Sequence, residues 1–285
     1  MSLFPPTLYD LRINYIKDIG KNDTTLKLEF PTLEHLQFDS VPQAAIEPFM
    51  VRHSRLKFLS IDTIDEPKKS LLTLSAVMED ILSLNPTLTD LRLTNLNLFS
   101  EDLSQKITFK LKNLILNFPA GTPITYNKQQ NLTKFMKSQG KSLVEFSISE
   151  WLDLSLFYRI WDSMTMMKQF SVLSWNENNN YEQCEEIKSI APNPKITHIY
   201  LLLKNMSTSW LFPLLTASPN LTFLFTRKLT REISEFVALN MMNVRSLKYD
   251  FIDFEFKPFY EELNKSSGIV NREITLLNRY VKPTE

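Results

Sequence analysis

A six-residue pattern, leucine-x-x-leucine-x-leucine, recurs ten times along the chain with apolar substitutions, and it constrains the fold more than any other feature. Successive copies begin 25, 23, 32, 23, 32, 24, 29, 25 and 23 residues apart. Self-similarity at a period of about 20 to 50 residues is typical of solenoids, in which each unit stacks on its neighbours. The ten copies begin at Leu8, Leu33, Leu56, Leu88, Leu111, Leu143, Met167, Ile196, Leu221 and Val244.

Each copy predicts a short β-strand, because successive side chains of a strand point to opposite faces. In the copy LTDLRL, Leu88, Leu91 and Leu93 then face the core, and Asp90 and Arg92 face away from it. One unit alone cannot cover three apolar side chains. Stacked units can, and each side chain that is fully covered contributes about 1.5–3 kcal/mol. The ten copies therefore predict one continuous parallel sheet.

The segments between the copies carry helical patterns. Leu132, Phe135 and Met136 share one helix face ahead of Gly140, and glycine is common where helices end. Parallel strands need a crossover connection, which helices of this length supply. The predicted fold class is therefore α/β. The predicted helical segments besides that one are 74–85, 45–54, 154–164 and 231–242.

The repeats predict a single domain over residues 1–285. The repeats themselves occupy about 8–258, and residues 259–285 are expected to cap the last one. Ile274, Leu276 and Leu277 are the apolar residues of that segment expected to face inward.

The segment KFMKSQGKSLVEFSI (134–148) reads as a helix end, a short polar break and a strand, and PTLEHLQF and SPNLTFLF share a proline ahead of the strand. These units resemble the helix-containing leucine-rich repeats of the ribonuclease-inhibitor-like class. More narrowly, they resemble the repeat domains of F-box/leucine-rich-repeat proteins, from Leu8 to about Tyr249. The resemblance implies a horseshoe-shaped solenoid of about ten repeats, with the parallel sheet on the concave face and helices on the convex face. It also implies the presentation of target proteins to an SCF-type ubiquitin ligase.

The sequence departs from that family in two respects. The asparagine or cysteine that the repeat places eight residues after its first leucine is absent from all ten copies, so no asparagine ladder is expected there. No F-box is visible ahead of the first copy at Leu8. Either a preceding segment is missing or the protein never had this module.

Charge and composition weigh against several functions. Lysine plus arginine and aspartate plus glutamate number 32 each, so no attraction to nucleic acid or to an anionic membrane is expected. With 4 glycines and no phosphate-binding motif, no nucleotide cofactor is expected. Cys184 is the one cysteine, which excludes an internal disulfide and a cysteine-based zinc site. No signal peptide and no membrane-spanning run is found, so we expect a cytoplasmic or nuclear protein without cofactor or metal.

No residue set predicts catalysis. His35 and His198 occupy third positions of copies that lie far apart, and His53 falls at a predicted helix end, where a positive charge would suit the helix dipole. Cys184 stands beside two glutamates, which disfavour a reactive thiolate. We therefore expect that the chain is not an enzyme.

The third and fifth positions of each copy face away from the core, and they define the concave face on which a protein partner would bind. Most of these positions are polar, but aromatic residues cluster near the C-terminal end. They lie on neighbouring strands, which are about 4.8 Å apart in a sheet. Adjacent exposed aromatic side chains are typical of protein interfaces. The alternative is that the last repeats twist, or that the C-terminal tail covers these rings. The candidate protein-binding residues are His198, Tyr200, Phe223, Phe225, Asp90 and Arg92.

Two functions are compatible with these observations. The first is the substrate-recognition part of an SCF-type ubiquitin ligase, whose subunits would then be partners if an F-box lies upstream. The second is a stand-alone leucine-rich-repeat scaffold or adaptor that binds a protein without ubiquitin chemistry.

Overall fold

The computed structural model describes residues 7–14, 29–39, 49–62, 76–94, 103–118, 126–149, 161–172, 190–202, 208–252 and 275–278. Within them, eleven strands form a single sheet in the order of the sequence, and every neighbouring pair is parallel. The predicted α/β class and continuous parallel sheet are thus confirmed. The strands are β1 (Asp10–Asn14), β2 (His35–Asp39), β3 (Phe58–Asp62), β4 (Asp90–Thr94), β5 (Asn113–Asn117), β6 (Glu145–Ile148), β7 (Gln169–Val172), β8 (His198–Leu201), β9 (Phe223–Leu229), β10 (Ser246–Ile252) and β11 (Thr275–Asn278).

The ten copies of the sequence pattern correspond one to one to β1 through β10, and each strand begins at the third position of its copy. The register between strands keeps equivalent positions opposite each other. Asp90 of β4 pairs with Asn113 of β5, and Arg92 pairs with Ile115. The third and fifth positions therefore form two straight rows across the whole sheet.

Burial alternates as the pattern predicts in most strands, although the fifth position is buried in β3, β7 and β9. In β4, Leu91 and Leu93 are 2% and 4% exposed, whereas Arg92 between them is exposed. In β1, by contrast, Leu11 and Ile13 are only partly buried. The reason is that β1 has a neighbouring strand on one side only in the described sheet.

Helices occupy the connections and cover one face of the sheet. Phe135 and Met136 belong to the same buried cluster as Leu114 of β5, so the core lies between the helices and the inward strand positions. The described helices are α1 (Ala76–Ser83), α2 (Leu103–Lys106), α3 (Tyr126–Gln139), α4 (Thr208–Thr216) and α5 (Arg231–Asn240).

Three of these helices, α1, α3 and α5, confirm predicted helical segments, and α3 ends immediately before Gly140 as expected. The predicted helix at 154–164 lies mostly outside the described residues. Of the predicted helix at 45–54, residues 49–54 are described, and within them 49–50 are helical while 51–54 are not. Helix α4 was not predicted. Its sequence TSWLFPLLT is apolar on most sides and contains Pro213, so it shows no amphipathic period.

A β-turn before the strands explains the repeated Pro-Thr-Leu phrase. The backbone N–H of Leu33 donates to the carbonyl oxygen of Phe30 at 3.0 Å, which places Pro31 at the second position of the turn. An equivalent bond, from the backbone N–H of Leu88 to the carbonyl oxygen of Asn85 at 3.2 Å, closes the turn around Pro86 before β4. Proline is favoured at this position because its fixed φ matches the turn. The phrase therefore specifies how the chain enters β2 and β4.

Buried polar side chains of these turns bind each unit to the one before it. Asn85 Oδ1 accepts the backbone N–H of Leu56 at 3.3 Å, and Gln139 Oε1 accepts that of Leu111 at 2.8 Å. Asn193 donates its side-chain amide to a carbonyl oxygen of the preceding unit at 2.8 Å. Asn85, Gln139 and Asn193 are all buried. Bonds between units are thus present in this chain, but they lie ahead of the strands.

His53 has the same role in the third unit, so the expectation of a charged histidine at a helix end is wrong. The ring is 3% exposed and stacks against the rings of Phe30 and Phe49, with centroids 5.9 Å and 4.3 Å away. Its Nε2 accepts the backbone N–H of Phe30 at 3.1 Å, and its Nδ1 is 2.8 Å from the carbonyl oxygen of Phe49. This pattern requires a neutral ring that carries its proton on Nδ1. Burial lowers the pKa of His53 and outweighs the opposing effect of the Phe49 carbonyl.

The last strand, β11, lies within the predicted C-terminal cap and extends the sheet beyond β10. Leu276 pairs with Leu247, and Leu277 pairs with Lys248. By register, Leu277 is thus equivalent to the fifth position of the copies. Ile274 lies outside the described residues.

Candidate protein-binding face

The sheet face opposite the helices is the concave face of the predicted solenoid, and two rows of side chains form it. The third-position row consists of Asp10, His35, Phe58, Asp90, Asn113, Glu145, Gln169, His198, Phe223 and Ser246. The fifth-position row consists of Arg12, Gln37, Ser60, Arg92, Ile115, Ser147, Ser171, Tyr200, Phe225 and Lys248.

An aromatic patch, defined as His198, Tyr200, Phe223 and Phe225, occupies β8 and β9 on this face. The register places His198 opposite Phe223 and Tyr200 opposite Phe225. The ring centroids of His198 and Phe223 are 5.6 Å apart, and those of Tyr200 and Phe223 are 5.0 Å apart. The structure thus brings together all four side chains that the sequence placed on neighbouring strands.

Phe225 differs from the other three residues of the patch because it is buried, with 4% of its surface exposed. Its neighbours in the row are Tyr200 and Lys248, whose Nζ lies 5.9 Å from the centroid of the Phe225 ring. The expectation that Phe225 is an exposed contact residue is therefore wrong. Its ring centroid lies 6.5 Å from that of Tyr200, which it supports from the side. His198, Tyr200 and Phe223 are partly exposed and form the accessible part of the patch.

The rings of the patch contact one another across β8 and β9. The ring planes of His198 and Phe223 are stacked and differ by 24°, whereas those of Tyr200 and Phe223 are tilted by 36°. The rings of His198 and Tyr200 are also stacked, with their centroids 6.5 Å apart. The exposed parts of these three rings are what a partner would contact.

Two of these rings also carry polar groups. Burial, and then the negative charge of Glu145 two strands away, raise the pKa of Tyr200. The phenol therefore keeps its proton at neutral pH and can donate a hydrogen bond. The Nδ1 of His198 is already engaged, since it lies 2.9 Å from the hydroxyl oxygen of Thr197. The patch can thus contact an apolar side chain and bond an acceptor beside it.

Asp90 and Arg92 lie apart from the aromatic patch. They belong to β4, four strand positions from β8, which corresponds to about 19 Å. The carboxylate of Asp90 accepts hydrogen bonds from the side chains of Asn113 and Thr89 and is already satisfied within the face. Arg92 is exposed. The six predicted binding residues therefore form two separate places on the concave face.

A third polar row, at the seventh position of the copies, was missed by the sequence analysis. Arg12 Nε donates to Asp39 Oδ2 at 2.6 Å, and Gln37 Nε2 donates to Asp39 Oδ1 at 2.9 Å. The Gln37 hydrogen bond, followed by the hydrogen bond and charge of Arg12, holds the pKa of Asp39 below its usual value despite the opposing effect of burial. A position that is polar in six consecutive copies was the available signal. In the first six units the row consists of Asn14, Asp39, Asp62, Thr94, Asn117 and Ser149.

Neither a metal-binding cluster nor a membrane-spanning helix is found in the described parts of the chain. Among those residues, no group of three or more histidine, cysteine, aspartate or glutamate side chains is arranged to hold a metal ion. No helix within the described ranges is both long and apolar enough to cross a bilayer. Cys184 lies outside them.

No protein-family model matches this chain, and no curated protein matches it in sequence. The fold and the face together define a class of protein, an α/β solenoid of leucine-rich units with an open, mostly polar sheet face. Membership of a particular leucine-rich-repeat family stays a prediction from the sequence resemblance.

Proposed function

We propose that this chain is a protein-binding solenoid that holds a segment of its partner on the concave face, with the aromatic patch as the main anchor. The observation that carries the proposal is the contact of three partly exposed rings, His198, Tyr200 and Phe223, on a face that is otherwise mostly polar. Tyrosine is among the residues that most often dominate the binding energy of protein interfaces. Its ring is large, and its hydroxyl adds a directional bond.

The rigidity of the patch supports this proposal. Hydrogen-bonded strands β8 and β9 fix the backbone on which the rings stand. The buried ring of Phe225 and the stacking of the exposed rings restrict the side chains before any partner arrives. A preorganised surface loses less conformational entropy on binding, so more of the contact energy appears as affinity.

A random library of twelve-residue peptides displayed on phage tests the proposal when it is panned against the full chain. We expect enriched peptides that carry an apolar or aromatic residue and that bind the double variant Tyr200→Ser/Phe223→Ser at least about tenfold more weakly, since each ring is a candidate hot spot. The matched control is Tyr9→Ser/Phe251→Ser, because these two residues are 58% and 55% exposed and lie outside the patch. This control should bind the peptides as the unchanged chain does.

The panning experiment can also refute the proposal. If no peptide is enriched, or if the control double variant loses binding as fully as the patch variant, the aromatic patch is not the anchor. Circular dichroism and thermal melting of both variants check that they are folded.

A link to ubiquitin ligases rests on the sequence resemblance to F-box/leucine-rich-repeat proteins and has no further support. A pull-down from a cell lysate tests it directly. Recovery of a cullin and its adaptor would support the substrate-recognition role, and their absence would favour a stand-alone scaffold. Neither outcome bears on whether the concave face binds a protein segment.

A further inference from the structure

The turns ahead of the strands carry an uneven distribution of charge. We define the leading rim as the residues from three before to one after the first position of each copy. In the nine windows that the structure describes in full, lysine plus arginine number 8 and aspartate plus glutamate number 1, although the whole chain has 32 of each. The windows are 30–34, 53–57, 85–89, 108–112, 140–144, 164–168, 193–197, 218–222 and 241–245.

Five of the eight basic residues of the leading rim fall in four consecutive units, ahead of β5 to β8, and all five are exposed. No acidic residue lies in these four windows. The strip spans three strand steps, about 14 Å, which is the length of about four extended residues of a peptide. The lysine strip consists of Lys110, Lys112, Lys141, Lys168 and Lys195.

The backbone of the strip is fixed by the sheet. The carbonyl oxygen of Lys112 accepts the backbone N–H of Val144 at 2.7 Å, and that of Lys168 accepts the N–H of Thr197 at 2.9 Å. Lys112 and Lys168 are two strand steps apart, about 10 Å. The fold therefore sets the spacing of the backbone positions that carry these lysines. Each lysine side chain can still change its conformation.

The charges of the strip are not neutralised by the described parts of the chain. No lysine of the strip belongs to an ion pair there. The pairs join Lys57 to Glu34, Lys106 to Asp80, Arg12 to Asp39 and, when its ring is protonated, His35 to Asp10. Lys110 donates to a backbone carbonyl oxygen and Lys195 contacts a methionine sulfur, so neither meets a carboxylate. The complementary occupant of the strip is an anion.

We infer that the partner segment is acidic: a run of aspartate or glutamate lies along the lysine strip while an adjacent apolar residue contacts the aromatic patch. This inference rests on the proposed function. The two surfaces are continuous, because Lys195 precedes His198 by three residues on the way into β8. One extended segment of a protein can therefore reach both.

A single-stranded nucleic acid fits this surface less well. Bases bind by stacking on exposed aromatic faces. Here the ring of Phe223 already packs against the rings of His198 and Tyr200, with centroids 5.6 Å and 5.0 Å apart, which leaves less ring surface for a base. The strip also contains no arginine, the side chain whose planar fork matches phosphate geometry.

The same peptide library tests the inference when it is panned against a rim variant, Lys112→Gln/Lys141→Gln/Lys168→Gln. Peptides enriched on the unchanged chain should contain three or more aspartate or glutamate residues and bind the rim variant about ten- to a hundredfold more weakly, since each exposed charge pair contributes modestly and three are removed. The arginine triple at the same positions keeps the charge and should retain binding. Lys134→Gln/Lys137→Gln on α3 removes charge away from the rim and should change nothing. Affinity should fall as salt rises, because exposed charges are screened.

The outcomes distinguish a failure of this inference alone from a failure of the proposed function. Enriched peptides without an acidic bias would overturn the acidic partner and leave the aromatic anchor standing. An acidic bias that persists on the rim variant would also overturn it, since residues outside the lysine strip would then bind the acidic side chains. If oligo(dT) of twelve nucleotides binds more tightly than the acidic peptides and loses affinity on the rim variant, the strip is a nucleic-acid site and the inference is wrong. If no peptide is enriched at all, the proposed function fails and this inference fails with it.

Discussion

The buried amide of Gln139 should stabilise the whole solenoid through one hydrogen bond. Gln139 is 0% exposed, and its Oε1 accepts the backbone N–H of Leu111 in the preceding unit at 2.8 Å. Gln139→Met keeps nearly the same volume but removes the acceptor. The N–H of Leu111 is then buried without this partner, at a cost of about 1–3 kcal/mol. For a chain of this length, about 2 kcal/mol corresponds to a fall of about 3 °C in Tm.

Urea titration and thermal melting measure the change in stability, and hydrogen exchange locates it. Lys137→Met is the matched control, because it introduces the same residue on the exposed side of the same helix and should lie within about 0.5 kcal/mol of the unchanged chain. The amide of Leu111 should exchange faster in Gln139→Met than in the control. If both variants are equally stable and the Leu111 amide exchanges at the same rate in both, the bond between the units does not contribute to stability.

Three further changes test other contacts. Leu114→Asp places an unpaired charge at a fully buried position of β5, so urea titration should show a loss of several kcal/mol in the free energy of unfolding. Gly140→Ala brings a Cβ into the backbone carbonyl of Ser163, which cannot easily move away. Thermal melting should therefore show a loss of about 1–3 kcal/mol in the free energy of unfolding. The hydrogen bond from Gln37 lowers the pKa of folded Asp39, so its stabilisation is complete above about pH 4, the unfolded value, and is lost as the pH falls through the folded value. Asp39→Asn should therefore be less stable than the unchanged chain at pH 7, and the difference should shrink as the pH falls below about 4, as urea titrations at several pH values will show.

The sheet could be predicted from the sequence because one requirement repeats in every unit. Burial of the fourth and sixth positions fixes the strand, and equal spacing to the strand start fixes the register. Helix α4 could not be predicted in the same way, because a helix that is apolar on most sides has no polar face to set a period. The bonds from Asn85 and Gln139 also escaped prediction. A single buried amide leaves no periodic signal, and its partner lies in another unit.

The sequence predicted where the candidate site lies on the sheet but not how far each of its side chains is buried. The register alone placed His198 beside Phe223 and Tyr200 beside Phe225. Alternation assigns a side chain to a face, but it does not say how far its neighbours cover it. Phe225 is buried because its own row supplies a ring on one side and the long side chain of Lys248 on the other. Exposure on a sheet face depends on neighbours that are 23 to 25 residues away in sequence.

The lysine strip shows a second limit of sequence-based prediction. Lys112 and Lys168 are 56 residues apart in the chain, yet they stand two strands apart on one rim. A balanced total of charges therefore does not exclude a local excess, because stacking sorts residues by their position in the repeat and not by their order in the chain. The expectation of no attraction to nucleic acid or to an anionic membrane was drawn from the totals, which do not register this sorting. The charge of a solenoid indicates what it binds only when charges are counted along each row of equivalent positions, because a partner contacts one row or a few rows at a time.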